Sequence, residues 1–199
     1  MPTIHIINQY IWPDGSPVCL ISEQLAVYLT EQQVPVAMVG GAGEYRPSSR
    51  PKPAIKFVGL TTKTQPRQNM VQILAEYRSV FSTFRRYVRQ HVAPGDTVLI
   101  TSAPFLNVLL RRFVPNNVTT LFWLFDYFPA SLLSLKLPTI AYRAIRRWWD
   151  GELRRYDSVI KISSNLGYWG ANAVVYRQDR KSTRLNSSHS TLSRMPSSA

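Results

Sequence analysis

Asp126 closes an apolar run, residues 119–125 (TTLFWLF), and a carboxylate at the end of a buried strand needs hydrogen-bonding partners or a ligand. It either meets a ligand there or fixes the Asp126-Tyr127-Phe128-Pro129 turn that follows. A second candidate is the run Asp14-Gly15-Ser16-Pro17, just ahead of an amphipathic segment. Gly15 beside a helix N-terminus would let backbone amides and the helix dipole meet a phosphate, unless it is only a turn glycine before a capped helix. Ser16 suits the N-cap and Pro17 the first helical position, because the hydroxyl can accept an orphan amide and proline lacks one.

Several chemistries are excluded by what surrounds these residues. Gly40-Gly41-Ala42-Gly43 follows the second expected strand rather than the first, and no G-x-G-x-x-G opens the chain, so no dinucleotide cofactor is expected. There is no P-loop and no G-x-S-x-G elbow. His5 lies within a strand, His91 at a helix end and His189 near the C-terminus, which leaves no metal cluster and no well-placed histidine base. The single cysteine, Cys19, can form neither an intrachain bridge nor a Cys-rich zinc site, and it fits a reducing compartment.

Positioning these residues requires strands alternating with helices. Apolar runs at residues 3–8, 34–39, 54–60, 96–101, 119–125 and 157–163 read as six strands. Helical spacing appears at residues 18–33, with Leu20/Ile21, Gln24/Leu25 and Tyr28/Leu29 as its apolar stripe, and again at 69–91, 105–113 and 138–156. Near-continuous apolar strands between helices mean an α/β fold, a doubly wound parallel sheet covered on both faces. Ligands bind such sheets outside the carboxyl ends of the strands, which directs attention to the loops at 8–17, 40–45, 102–105, 126–129 and 163–165.

The 199 residues hold 24 Lys and Arg against 11 Asp and Glu, 45% hydrophobic side chains and 12% aromatics, a composition suited to one basic globular domain. The most apolar stretch, 118–137, carries Asp126 and Pro129 near its middle and is not expected to span a membrane. The chain opens on a strand without a basic leader, so a cytoplasmic location is expected. Arginines cluster on the helices: Arg78, Arg85, Arg86 and Arg89, then Arg111 and Arg112, then Arg143, Arg146, Arg147, Arg154 and Arg155. With Trp148 among them, the last group is expected to face an anionic inner-membrane surface, the alternative being a solvated helix face with its tryptophans in the core. No RNP-like, zinc-finger or helix-turn-helix signature accompanies the charge, and no nucleic-acid partner is expected.

Composition shifts at Asp179. Residues 179–199 contain seven serines and only four apolar residues, Leu185, Leu192, Met195 and Ala199. The eleven residues 179–189 resemble the conceptual translation of a common short-read sequencing adapter, 193–199 resemble its continuation, and 190–192 leave room for a barcode. The expectation is a native domain over residues 1–178 followed by a non-native, disordered tail, with the natural protein continuing beyond Gln178.

Five segments, INQYIWPDGSP, ISEQLAVYLTEQQVPVAMVGG, ITSAPFLNVLL, LFWLFDYFPASL and DSVIKISS, resemble in order the N-terminal half of the bacterial family 4 glycosyltransferases that build exopolysaccharide, capsule and O-antigen. The resemblance implies a GT-B protein of two Rossmann-like halves, the first chiefly binding acceptor and the second a nucleotide-sugar. It implies metal-independent transfer, usually with retention, to a sugar on a lipid-diphosphate carrier at the inner membrane face, the nucleotide-sugar being substrate rather than cofactor. By this analogy Gly15 approaches the donor diphosphate with Ser16 beside it, Ser102 and Asp126 line the cleft with Asp126 the candidate catalytic residue, and Asp14 and Tyr127 contact acceptor. Several relatives carry a histidine after strand four, where this chain reads Thr101-Ser102-Ala103-Pro104. The family's paired-glutamate segment is missing, so this chain alone is expected not to catalyse transfer. The competing expectation is a stand-alone basic α/β module that docks on membrane or nucleic acid by charge.

Overall fold

A computed structural model describes residues 1–41, 48–61, 70–132, 138–163, 166–168 and 170–175. The segment 179–199 lies outside the described residues, as do residues 42–45 and 164–165 of the candidate loops. Seven strands form one sheet: β1 (Ile4–Tyr10), β2 (Val36–Gly41), β3 (Lys56–Leu60), β4 (Thr97–Thr101), β5 (Thr119–Leu124), β6 (Ser158–Lys161) and β7 (Ala173–Val175). Every pairing is parallel, and the order is β3-β2-β1-β4-β5-β6-β7. The helices are α1 (Pro17–Glu31), α2 (Met70–His91), a 3-10 helix (Phe105–Phe113), α3 (Phe128–Ser131) and α4 (Thr139–Leu153). This is a Rossmann-like, doubly wound α/β fold.

Alternation along the strands supplies two apolar faces. Ile7, Val39, Ile100 and Phe122 point to the side covered by Val80 and Phe84 of α2, Val108 of the 3-10 helix and Trp149 of α4. Ile6, Leu99 and Trp123 point to the other side, where Ala26 of α1 packs. Central strands buried on both faces must be apolar throughout, and β2 (VAMVGG) is buried at every position.

The structure departs from the sequence expectations at particular places. β2 begins at Val36 rather than Val34, because Pro35 has no amide to give; its carbonyl instead accepts Ile4 N–H at 2.8 Å. The 105–113 segment is a 3-10 helix, α3 and β7 are additional short elements, and α4 ends at Leu153. The larger correction concerns α1. Its buried residues are Cys19, Ser22, Glu23 and Ala26, while Ile21 and Tyr28 of the expected inward stripe are exposed. Small side chains let α1 lie close to the sheet, and Arg50 supplies the buried Glu23 with a counter-charge. The exposed Ile21 and Tyr28, with the half-buried Leu25, border an open apolar groove with Trp123 and Ile160.

At the amino ends of the strands, a buried polar cluster ties β1, β4 and α2 together. Asp96 accepts the amides of Thr3 and Ala93, both at 2.8 Å, and lies 3.1 Å from His5 Nε2. An ionised carboxylate only accepts, so Nε2 donates to it, and Nδ1 lies 2.9 Å from the Tyr87 hydroxyl. Among the described residues no helix is long and apolar enough to cross a membrane.

Candidate functional site

Strand order reverses between β1 and β4: the chain leaves β1 for α1 on one side of the sheet and leaves β4 for the 3-10 helix on the other. Loops that part in this way open a crevice at the carboxyl ends of the two strands. A cleft of about 390 Å³ lies there, with Gln9, Ser102 and Asp126 as its polar residues. Its apolar wall comes from Ile73, Leu74 and Tyr77 of α2, Phe105, Phe128 and Leu132.

Hydrogen bonds hold the loop after β4 rigidly under this cleft. Thr101 Oγ1 donates to Asn8 Oδ1 at 3.3 Å, and Asn107 Nδ2 donates to the carbonyls of Thr101 and Ala103 at 3.3 and 2.9 Å. Ser102 Oγ accepts the amides of Phe125 at 3.1 Å and Asp126 at 3.2 Å. A hydroxyl has two lone pairs and one proton. With both acceptor positions taken by N–H groups, the Ser102 proton is the part left to donate toward a ligand in the cleft. The same contacts present Asp126, which is exposed at the cleft rim. Ser102 and Asp126 therefore supply a donor and an acceptor side by side, a pair suited to hydroxyl-bearing ligands. Gln9 is oriented by the hydrogen bond that its Nε2 donates to Oε1 of the buried Glu76 at 3.2 Å.

The apolar wall is a ring stack. Phe105 and Phe128 lie parallel with centroids 3.9 Å apart, Tyr77 meets Phe105 edge-on at 5.6 Å, and Phe128 rests on the buried Trp149 at 5.2 Å. Leu74 leaves 44% of its surface open above this wall.

Asp14, Gly15 and Ser16 sit at the start of α1 and do not line this cleft. Asp14 is fully buried, and its Oδ1 accepts the Ser16 amide at 2.8 Å, so its carboxylate shapes its own loop. Arg50 locks the arrangement, donating from Nη2 to the Asp14 carbonyl at 2.6 Å and to Glu23 Oε1 at 2.7 Å, with Nη1 on Glu23 Oε2. Ser16 has the extended backbone of an N-cap but its hydroxyl makes no cap bond, contrary to the sequence expectation. The hydroxyl is buried and has no hydrogen-bond partner among the described residues. The first turn of α1 itself carries no acidic side chain, and the Asp14 carboxylate stands just ahead of it. Burial and the neighbouring Glu23 push the Cys19 thiol far up, which leaves it unreactive.

Tyr127 is buried, and its hydroxyl donates to Asp150 Oδ1 of α4 at 2.7 Å rather than facing the cleft. Burial and Asp150 push its pKa up, so it remains a neutral donor. Asp150 in turn lies 3.8 Å from Arg146, in a crevice of about 220 Å³ lined also by Arg143, Arg147 and Arg154. Arg155 pairs with Glu152 at 3.4 Å, and Trp148 is 39% exposed against the edge of Trp149.

Ser102 and Asp126 are thus brought together, Asp14, Gly15 and Ser16 form a separate helix-start site, and Tyr127 joins the cleft loop to α4. The candidate loop at 8–17 includes Gln9, whereas Leu74 and Tyr77 were not identified from sequence as cleft residues. Leu74 and Tyr77 carry the helical spacing of core positions, and only the tertiary placement of α2 separates a core residue from a cleft wall. Among the described residues no group of three His, Cys, Asp or Glu could hold a metal ion. No protein-family model and no curated protein matches the chain.

Proposed function

We propose that the chain is the acceptor-side half of a glycosyltransferase that acts in cell-surface polysaccharide synthesis. The observation that carries this reading is the two-part cleft at the β1/β4 crevice, with Gln9, Ser102 and Asp126 at one part and the Leu74, Tyr77, Phe105 and Phe128 wall at the other. A sugar carried on a lipid diphosphate has the same two parts: hydroxyls that need donors and acceptors, and an apolar chain that gains by leaving water. In this reading Ser102 donates to a sugar oxygen, and Asp126 accepts from the attacking hydroxyl and holds it in place. In this reading Gly15, at the start of α1, approaches the donor diphosphate. Binding of the nucleotide-sugar falls to a second domain, as the resemblance to family 4 implies.

Reading the source DNA from upstream of the Gln178 codon through about 600 further bases, roughly one more domain, tests this directly. The expected result is an open frame with a Gly-rich start and paired glutamates, together with no transfer by the present chain alone on any nucleotide-sugar. Genomic codons for DRKSTRLNSSH followed by a stop, or measurable transfer by the chain alone, would contradict the two-domain reading.

A further inference from the structure

The two faces of the sheet are covered unequally. α2, the 3-10 helix, α3 and α4 pack on one face, whereas α1 is the only described helix on the other, where it lies mainly over β1 and β2. Trp123, Ile160 and Val174 are register neighbours across β5, β6 and β7, so they share the α1 face at its uncovered end. Val174 is 54% exposed there. Between this end of the sheet and α1 runs the apolar groove, about 440 Å³, and none of the residues that line it is charged.

A ridge stands beside the groove. Ile21 and Tyr28 are 40% and 58% exposed and lie two turns, about 10 Å, apart on one side of α1, with the exposed Gln24 between them. A closed pairing of two identical chains needs a patch that complements itself, and a knob next to a hole meets that need. Charge also limits where two copies can meet, since each carries a formal +13 and eleven arginines lie on or just after the helices of the opposite face. α1 has no Lys or Arg. Of its two carboxylates, Glu23 is already paired with Arg50, and Glu31 lies seven residues beyond Gln24, at the rim. An acidic or basic partner would find no charge in the groove to pair with, while a second copy meets the least repulsion here.

We propose that the α1 face is a homodimer interface, in which two copies of the chain pair about a two-fold axis near Gln24 and Tyr28 of each copy enters the groove of the other, over Trp123 and Ile160. The driving force is removal of Ile21, Tyr28 and the groove from water, so added salt, which screens the repulsion between two cationic chains, does not weaken the pairing. The proposal is independent of the glycosyltransferase reading, since the groove lies on the face of the sheet opposite α2 and the rest of the apolar cleft wall.

The test is sedimentation velocity of the full chain from about 1 to about 200 μM, at about 0.1 M and about 0.5 M salt. A monomer–dimer equilibrium is expected within that range, at least as tight at the higher salt. Tyr28→Glu should dimerise at least tenfold more weakly while keeping the wild-type melting temperature, because the side chain is exposed in the monomer. A short bismaleimide should join Gln24→Cys to its own copy and leave Gln90→Cys, an exposed position on α2, unjoined; the native Cys19 is buried and does not compete. Monomer throughout the range, as when this face is kept for another segment or ligand, would overturn the proposal. So would a dimer undiminished by Tyr28→Glu, a dimer that loosens as salt rises, or equal cross-linking at the two cysteine positions.

Discussion

A single oxygen, Ser102 Oγ, accepts the amide protons of Phe125 and Asp126 and so joins the end of β4 to the end of β5. Ser102→Ala would leave two amides without their partner, the serine itself being only 8% exposed. The expected loss is about 1–3 kcal/mol in urea unfolding. An unchanged unfolding midpoint would mean that water satisfies those amides and that the loop is not held by the serine. A serine after an apolar strand was visible as a site candidate, but its acceptor role was not, because partners some twenty residues away in sequence carry no local signal. Ser16 shows the reverse: the sequence supports a hydroxyl cap, and the Ser16 hydroxyl makes no cap bond.

At the scale of elements, the Asp96 cluster fastens β1, β4 and α2 at the edge of the sheet opposite the cleft. Burial pushes the Asp96 carboxyl up, but the amides of Thr3 and Ala93 and the His5 ring outweigh it and hold the pKa below the ordinary 3.8. A carboxylate with a depressed folded-state pKa contributes stability above its unfolded-state value and loses it as pH falls through the folded value. The wild type should therefore lose stability below about pH 4, and Asp96→Asn should lose less over that window while starting from a lower stability at neutral pH. Urea unfolding across a pH series checks this, and parallel curves for the two proteins would place the acid sensitivity elsewhere. Asp157 is held low in the same way, against its burial, by the Thr120 hydroxyl and amide, so some acid dependence should survive in the variant. Most elements were legible because strands buried on both faces are apolar throughout. The orientation of α1 was not, because that helix is apolar on more than one side and its fit is decided by the small residues Cys19, Ser22 and Ala26 against the sheet.

Over the whole molecule, the doubly wound order does two things at once. It parts the loops after β1 and β4 to open the cleft, and it gathers the arginine-bearing helices onto one face. The sequence showed which residues are basic and which loops follow strands. Which helices share a face, and that Leu74 and Tyr77 border the cleft rather than the core, follow only from the crossovers. In the function proposed above, this cleft takes an amphiphilic sugar acceptor. Calorimetric titration of the chain with a water-soluble, short-chain isoprenyl diphosphate sugar tests it most directly. Saturable binding is expected, weakening at least tenfold, about 1.4 kcal/mol, in Leu74→Asp and again when either the sugar or the apolar chain is removed from the ligand. No binding at about millimolar ligand, or equal affinity in the wild type and Leu74→Asp, would contradict it.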